Sequence, residues 1–252
     1  MAPLSTAAIV LSTLRYSESS KIVRLATRDL GVQSAIAKGA LRPKSRFGAA
    51  LQLLSEGQAQ LYVREPRELH TLAAFDLARV PIALAADLDR YSAASALAEI
   101  MLRFAPPDPH PESFELLRDA LRRLEEAPAG AARAVGVRAV WQLVSVLGFA
   151  PALDACVRDG APLPAGPLAF SAPEGGALCP SCAGTHGSTR LPVGAREDLT
   201  ALLDPGAQLP PLDQRHAAAH ERLAARYVRW HLGEGAELPA LDFWIRRPWR
   251  SA

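Results

Sequence analysis

Cysteine is scarce in this chain of 252 residues, which has only Cys156, Cys179 and Cys182. An odd number, two of them two residues apart, makes a poor disulfide framework. In a reducing compartment such a cluster binds metal or does redox chemistry. Long apolar runs are missing: no window approaches the roughly 18 consecutive apolar residues that a membrane span needs. Met1–Tyr16 has no basic stretch ahead of its apolar run, so no secretory signal is expected and the expected compartment is the cytoplasm. Net charge is nearly absent, 28 Lys and Arg against 26 Asp and Glu, and by itself argues neither for nor against a polyanionic partner. Catalytic signatures are missing as well. There is no Gly-x-x-x-x-Gly-Lys-Ser/Thr loop, no Gly-x-Gly-x-x-Gly after a strand and no Gly-x-Ser-x-Gly elbow. His216 and His220 stand four apart without the glutamate of a His-Glu-x-x-His site, and are read as surface or packing residues.

What is present is a globular composition, 49% hydrophobic and 21% charged. Five short strand-like runs occupy the first third: Ala8–Tyr16, Lys21–Thr27, Val32–Lys38, Leu51–Val63 and Leu69–Leu77. With little helical pattern between them, they predict a small closed barrel, which leaves no edge to protect. Helical periodicity follows over Leu84–Phe104, Pro111–Glu126 and Ala132–Leu147, and returns at Ala195–Leu203 and Leu212–Leu232. Between Pro151 and Pro192 the chain is rich in Pro, Gly and Ala and holds all three cysteines. A stretch of that kind needs a staple or a function.

The near-neutral charge conceals an asymmetry. Arg15, Lys21, Arg24, Arg28, Lys38, Arg42, Lys44 and Arg46 oppose only Glu18 and Asp29, so this segment carries +6 and the remainder −4. Lys38–Arg46 places four cations on a loop leaving a barrel strand, with Gly39 freeing the backbone and Pro43 limiting it. Cations on an extended scaffold can track a phosphate chain, and a small barrel with a basic loop is a common single-strand platform. The alternative is a solvated loop that keeps the barrel soluble. Tyr16, Phe47 and Tyr62 are the local stacking candidates; Phe47 and Tyr62 are also core candidates.

Cys179-Pro180-Ser181-Cys182 is half of a zinc knuckle by spacing. Structural zinc takes four ligands, and Cys156 supplies a third. Asp159 lies where a second Cys-x-x-Cys pair would place its partner, with Gly160 following as a knuckle glycine would; His186 is the other candidate. The glycines around Cys179–Cys182 give knuckle context rather than the strand-to-helix context of a thiol redox site. A buried, chemically idle Cys156 and a reversible Cys179–Cys182 disulfide are the competing readings.

Several landmarks occur in order: Ile9-Val10-Leu11 and Tyr16-Ser17-Glu18-Ser19-Ser20, then Thr27-Arg28-Asp29-Leu30-Gly31, then Ala37-Lys38-Gly39-Ala40-Leu41-Arg42-Pro43-Lys44-Ser45. Leu147-Gly148-Phe149-Ala150-Pro151, Cys156, Phe170-Ser171, Gly175-Gly176 and Cys179-Pro180-Ser181-Cys182 follow. Over nearly its whole length the chain resembles the RecO family of bacterial recombination mediators. It departs at Asp159, where members with a full finger have cysteine; some members lack the metal.

The resemblance implies an α+β multidomain chain: an N-terminal five-stranded OB-fold barrel over 1–80, an α-helical body over 81–150 and 193–252, and a zinc-finger-like insertion over 151–192. It implies a non-catalytic, cytoplasmic, nucleoid-associated protein that binds single- and double-stranded DNA, anneals complementary strands and, with RecR, helps load RecA onto DNA coated by the single-strand-binding protein. Zn2+ is the implied metal, on Cys156, Cys179, Cys182 and Asp159 or His186. Lys38, Arg42, Lys44 and Arg46 are the first DNA-binding candidates, with Arg15, Lys21, Arg24 and Arg28 flanking. Arg138 beside Trp141 is similar to the family's groove for the acidic, apolar tail of the single-strand-binding protein. Otherwise Trp141 is core and Arg138 an ordinary surface cation. The alternative function is a metal-stapled protein–protein interaction module that does not bind DNA directly.

Overall fold

Strand β1 (Leu4–Arg15) is twelve residues long, and a bulge between Val10 and Ser12 lets it serve two neighbours. Its first half pairs with β4 (Glu56–Tyr62), its second with β2 (Lys21–Thr27). β3 (Gly31–Ala37) pairs antiparallel with β2 and parallel with β5 (Leu69–Arg79), and β5 returns to β4. The closed order β1-β2-β3-β5-β4 is that of a five-stranded OB-type barrel. This computed structural model describes residues 2–63, 68–106, 108–128, 130–184, 188–233 and 235–250.

Period-two alternation fills the barrel. Val23 and Leu25, Ala35 and Ala37, Ala59 and Leu61 point inward and are fully buried, while Ile22, Arg24, Ser34 and Ile36 point outward. Small alanines alternate with larger residues because five strands enclose little space. The connection between β3 and β4 plugs one end with Phe47, Ala50 and Leu51. The expected strand at Leu51 begins only at Glu56. Residues 51–55 form a turn in which the Leu54 N–H donates to Val10 O at 2.8 Å and the Val10 N–H to Ser55 O at 2.9 Å. That run is apolar because it seals the barrel.

The helix expected over Leu84–Phe104 is two helices, α1 (Ile82–Ala85) and α2 (Leu88–Phe104). The Asp87 carboxylate interrupts it, accepting the N–H groups of Asp89 and Arg90 at 2.9 and 3.1 Å as an N-cap. α2 packs on β1 and β2. α3 (Pro111–Glu126) is tied to the barrel by ion pairs of Arg79 with Glu125 and of Arg122 with Glu56 (3.3 Å). Two compact units result, Met1–Glu125 and Glu126–Ala252. By their contacts residues 81–125 group with the barrel, because their apolar and charged faces are satisfied there.

In the second unit, α4 (Ala132–Val144) is buried almost throughout and runs into a wide turn, Ser145–Phe149, ended by Gly148 at φ 92°. Its stretch Ala132–Phe149 is long and apolar enough to cross a membrane, yet 61% of it is buried inside the fold. It packs with α5 (Val193–Leu203) and α6 (Gln214–His231). α7 (Pro239–Arg246) lies in the tail that showed no helical signal in the sequence beyond its aromatic and basic character. The insertion is a three-stranded sheet, β6 (Leu168–Ser171), β7 (Gly176–Leu178) and β8 (Ser188–Leu191), in the order β7-β6-β8.

Candidate metal centre and nucleic-acid interface

Two turns build the metal centre. In the first, the Gly160 N–H donates to Cys156 O and the Cys156 N–H to Ala161 O, each at 2.9 Å, with Gly160 at φ 70°. A side chain there would be strained, which explains the glycine. Asp159 Oδ1 accepts the Ala161 N–H at 3.0 Å, leaving Oδ2 aimed at the thiols. In the second turn the Cys182 N–H donates to Cys179 O at 3.0 Å. The Ala152 and Val157 backbones hydrogen-bond to β7 and bring the turns together. The Arg158 fork on Glu174 (2.5 and 2.9 Å) also donates to Cys182 O at 3.3 Å, bracing both.

The ligand atoms of Cys156, Asp159, Cys179 and Cys182 all lie within 4.8 Å of one another. Asp159 Oδ2 is 3.4 Å from Cys179 Sγ and 3.3 Å from Cys182 Sγ. A tetrahedral ion with metal–sulfur and metal–oxygen bonds of about 2.3 and 2.0 Å separates sulfur from oxygen by about 3.5 Å. Three thiols and one carboxylate therefore fit a four-coordinate metal ion. His186, the other proposed ligand, lies outside the described residues.

The metal-free cluster shares its protons unevenly. Hydrogen bonds, first from Cys156, hold Asp159 well below the usual carboxylate range. A hydrogen bond from Ser181 pulls Cys179 down, and the Asp159 carboxylate pushes Cys182 up to about 12. The Asp159 charge thus retains a proton that a metal would have to displace.

In the first unit the register gathers the basic residues. Arg15 pairs with Lys21, Lys21 with Ala37, and Lys38 follows at once. The Leu41 N–H donates to Ser19 O at 3.0 Å, tying the basic loop to the β1–β2 turn. Arg15, Lys38, Arg42, Lys44 and Arg46 are exposed and Lys21 is half-exposed. Phe47 is buried and roots the loop, with the Arg46 guanidinium 5.1 Å from its ring centre. All three lysines of the chain, Lys21, Lys38 and Lys44, are here; every other Lys/Arg position is arginine.

Beside these cations runs a row of which sequence reasoning singled out only Tyr62. Leu14, Ile22, Ile36, Thr71 and Tyr62 are successive cross-strand partners on the outer face. Leu14 is 64% exposed and Tyr62 36%, and Tyr16 at the adjoining turn is 57% exposed. The signal was available: the alternation that sends Val23 and Ala35 inward sends Ile22 and Ile36 outward.

Two flanking candidates stand apart. Arg24, on the outer face, is half-buried, and burial and then Arg103 lower its pKa. Arg28 sits past the opposite end of β2, paired with Glu115 at 3.0 Å and Asp29 at 3.2 Å, which removes it from the cationic end. The two residues of the proposed partner groove lie inside the fold. Trp141 is fully buried against Phe170 and Tyr227, ring centres 6.5 and 5.2 Å away. Arg138 is buried, its guanidinium donating to Ala201 O and Gln208 O at 3.0 and 2.9 Å. Both are interior, since the apolar face of α4 is its core face.

Two family models match this chain, "Recombination protein O N terminal" over residues 1–80 and "Recombination protein O C terminal" over residues 85–238. The chain belongs to the RecO family. It is 36% identical over 233 residues to the DNA repair protein RecO of Anaeromyxobacter sp. (strain K), covering 89% of this chain and 90% of that one. RecO of Symbiobacterium thermophilum is 34% identical over 90% of this chain and 92% of its own. RecO of Frankia casuarinae is 33% identical over 93% and 96%. RecO membership gives the chain a role in DNA repair and recombination.

Proposed function

We propose that the protein is a non-catalytic recombination mediator that binds single- and double-stranded DNA on the barrel and anneals complementary strands. With RecR it helps load RecA onto DNA coated by the single-strand-binding protein, in the cytoplasm at the nucleoid. The observation that carries this is the outer barrel face: the Arg15–Lys21–Lys38 cations and the Arg42, Lys44 and Arg46 loop beside the Leu14–Ile22–Ile36–Tyr62 row. Cations neutralise phosphates and release counterions, and exposed rings offer bases a sequence-tolerant platform. Annealing makes no covalent bond; it needs two polyanions brought together without mutual repulsion.

Residues 1–80 would act as the DNA-binding part and 151–192 as the metal-stapled insertion. Zinc, held by Cys156, Cys179, Cys182 and Asp159, would supply a structural cross-link between the two turns and no reaction chemistry. The cationic end and the apolar row receive the backbone and bases respectively. Replacing Lys38, Arg42, Lys44 and Arg46 together by glutamine tests the proposal in a DNA-binding titration against salt. The slope of log affinity on log salt should fall by about 0.7 for each lost single-strand contact. Unchanged affinity and slope would remove these four from the interface.

A further inference from the structure

The exposed face of α6 is a row of arginines. Arg215, Arg222, Arg226 and Arg229 recur at intervals of seven, four and three residues, which places them on one side of the helix. All four are exposed, and Trp230, 57% exposed, continues the row. From Arg215 to Trp230 the row runs about 22 Å at 1.5 Å per residue. The opposite face, including Ala217, Leu223, Ala224, Tyr227 and Val228, is buried in the unit. Arg222, Arg226 and Arg229 also line an open groove with Asp242, Ile245 and Arg246 of α7.

The charge in this groove is poorly compensated. Arg229 and Arg246 share the single carboxylate of Asp242, and Arg226 donates to the neutral Thr189 hydroxyl. Among the described residues, Arg215 and Arg222 have no acid partner. Three of the four, Arg215, Arg222 and Arg226, thus have no acid partner among the described residues, and like charges along one face cost stability unless something external neutralises them. The helix has no apolar face left to enter a membrane, and the open groove gives a small anion no enclosure.

We propose that the α6 row is a second nucleic-acid site, taking the sugar-phosphate backbone of a strand with Trp230 stacked on a base. A strand carries one phosphate per about 3.4 Å of duplex axis, so the row is long enough to meet several in succession. Guanidinium forks suit phosphate oxygens, and their charge is permanent. This rests on the DNA-binding reading above and extends it: annealing requires two strands, and the barrel and the α6 row give the chain a site for each.

The test uses the full chain with R215Q/R222Q/R226Q, a labelled oligothymidylate for binding, and complementary oligonucleotides for annealing. Metal content and unfolding midpoint should stay at the wild-type values because these side chains are exposed. The salt slope should fall by about two, as three lost single-strand contacts require, and annealing should slow severalfold. The barrel variant K38Q/R42Q/K44Q/R46Q should keep residual binding, which adding the α6 substitutions abolishes. Wild-type slope and annealing in the α6 variant would overturn the second site and leave the barrel reading intact. Loss of all binding in the barrel variant alone would overturn it equally. Absence of DNA binding by the wild-type chain would overturn the underlying reading itself.

Discussion

Arg133 of α4 forks onto the buried carboxylate of Glu221 on α6, Nε to Oε1 at 3.1 Å and Nη2 to Oε2 at 2.5 Å. Arg247, just past α7 and itself buried, reaches the same Oε1. One acid thus fastens three segments of the second unit. Removing it leaves two guanidinium groups in a dry environment, which typically costs about 3–5 kcal/mol. Glu221→Ala should lower the unfolding free energy by that order in urea denaturation. A change within about 0.5 kcal/mol, the range of an ordinary surface substitution, would show that water replaces the carboxylate.

Trp141→Ala separates the interior assignment from the docking one. Deleting a fully buried tryptophan costs roughly 3–5 kcal/mol, so the variant should unfold at markedly lower denaturant. A docking residue would leave stability unchanged and weaken only the partner's binding.

The metal centre should hold one ion per chain, and acid should release it, because each thiol proton displaced by the metal returns as pH falls. In the metal-free protein the Asp159 carboxylate pushes the Cys182 thiol up to about 12. Asp159→Asn removes the charge that raises it, so the thiolate absorbance of Cys182 should then appear at lower pH. The same variant should bind metal more weakly in a competition with a chromophoric chelator. The carboxylate also has a stability consequence in the metal-free form. Its folded-state pKa is depressed, so its contribution is complete above the ordinary carboxylate value near 3.9 and is lost as pH falls below it.

Tyr16→Ala should weaken single-strand binding by about 1–3 kcal/mol, the usual worth of one base–aromatic stack, without altering the salt slope. Arg28→Gln serves as its counterpart. That guanidinium is engaged by Glu115 and Asp29 beyond the far end of β2, so its loss should leave both affinity and slope unchanged in the same titration.

Much of the barrel was legible because period-two alternation in Lys21–Thr27 and Val32–Ala37 has only one way to face inward. The limits lay where an apolar run serves something other than its own element. Leu51–Leu54 is a plug, and Asp87 splits a continuous helical pattern with a cap. Spacing groups Cys156, Cys179 and Cys182, since a knuckle is a local motif, but leaves the fourth ligand open between Asp159 and His186; the turn that aims Asp159 Oδ2 at the thiols is a tertiary feature. The outer row of Leu14, Ile22, Ile36 and Tyr62 depends on cross-strand register, which no single segment encodes. Arg138 and Trp141 stay open between core and partner groove at the level of sequence, because periodicity marks a face as apolar without saying whether protein or partner covers it.

The placement of lysine has a practical corollary. Primary side-chain amines occur only at Lys21, Lys38 and Lys44, all in the basic segment of the barrel, while the α6 row is guanidinium throughout. Amine-directed acylation would therefore footprint the barrel surface alone, and dicarbonyl reagents selective for guanidinium, with adducts at Arg215, Arg222, Arg226 and Arg229 separated by peptide mapping from those at the barrel arginines, would report on α6. With DNA bound, two orthogonal protection patterns on one unmutated chain would say which strand-binding surface is covered at each stage of annealing.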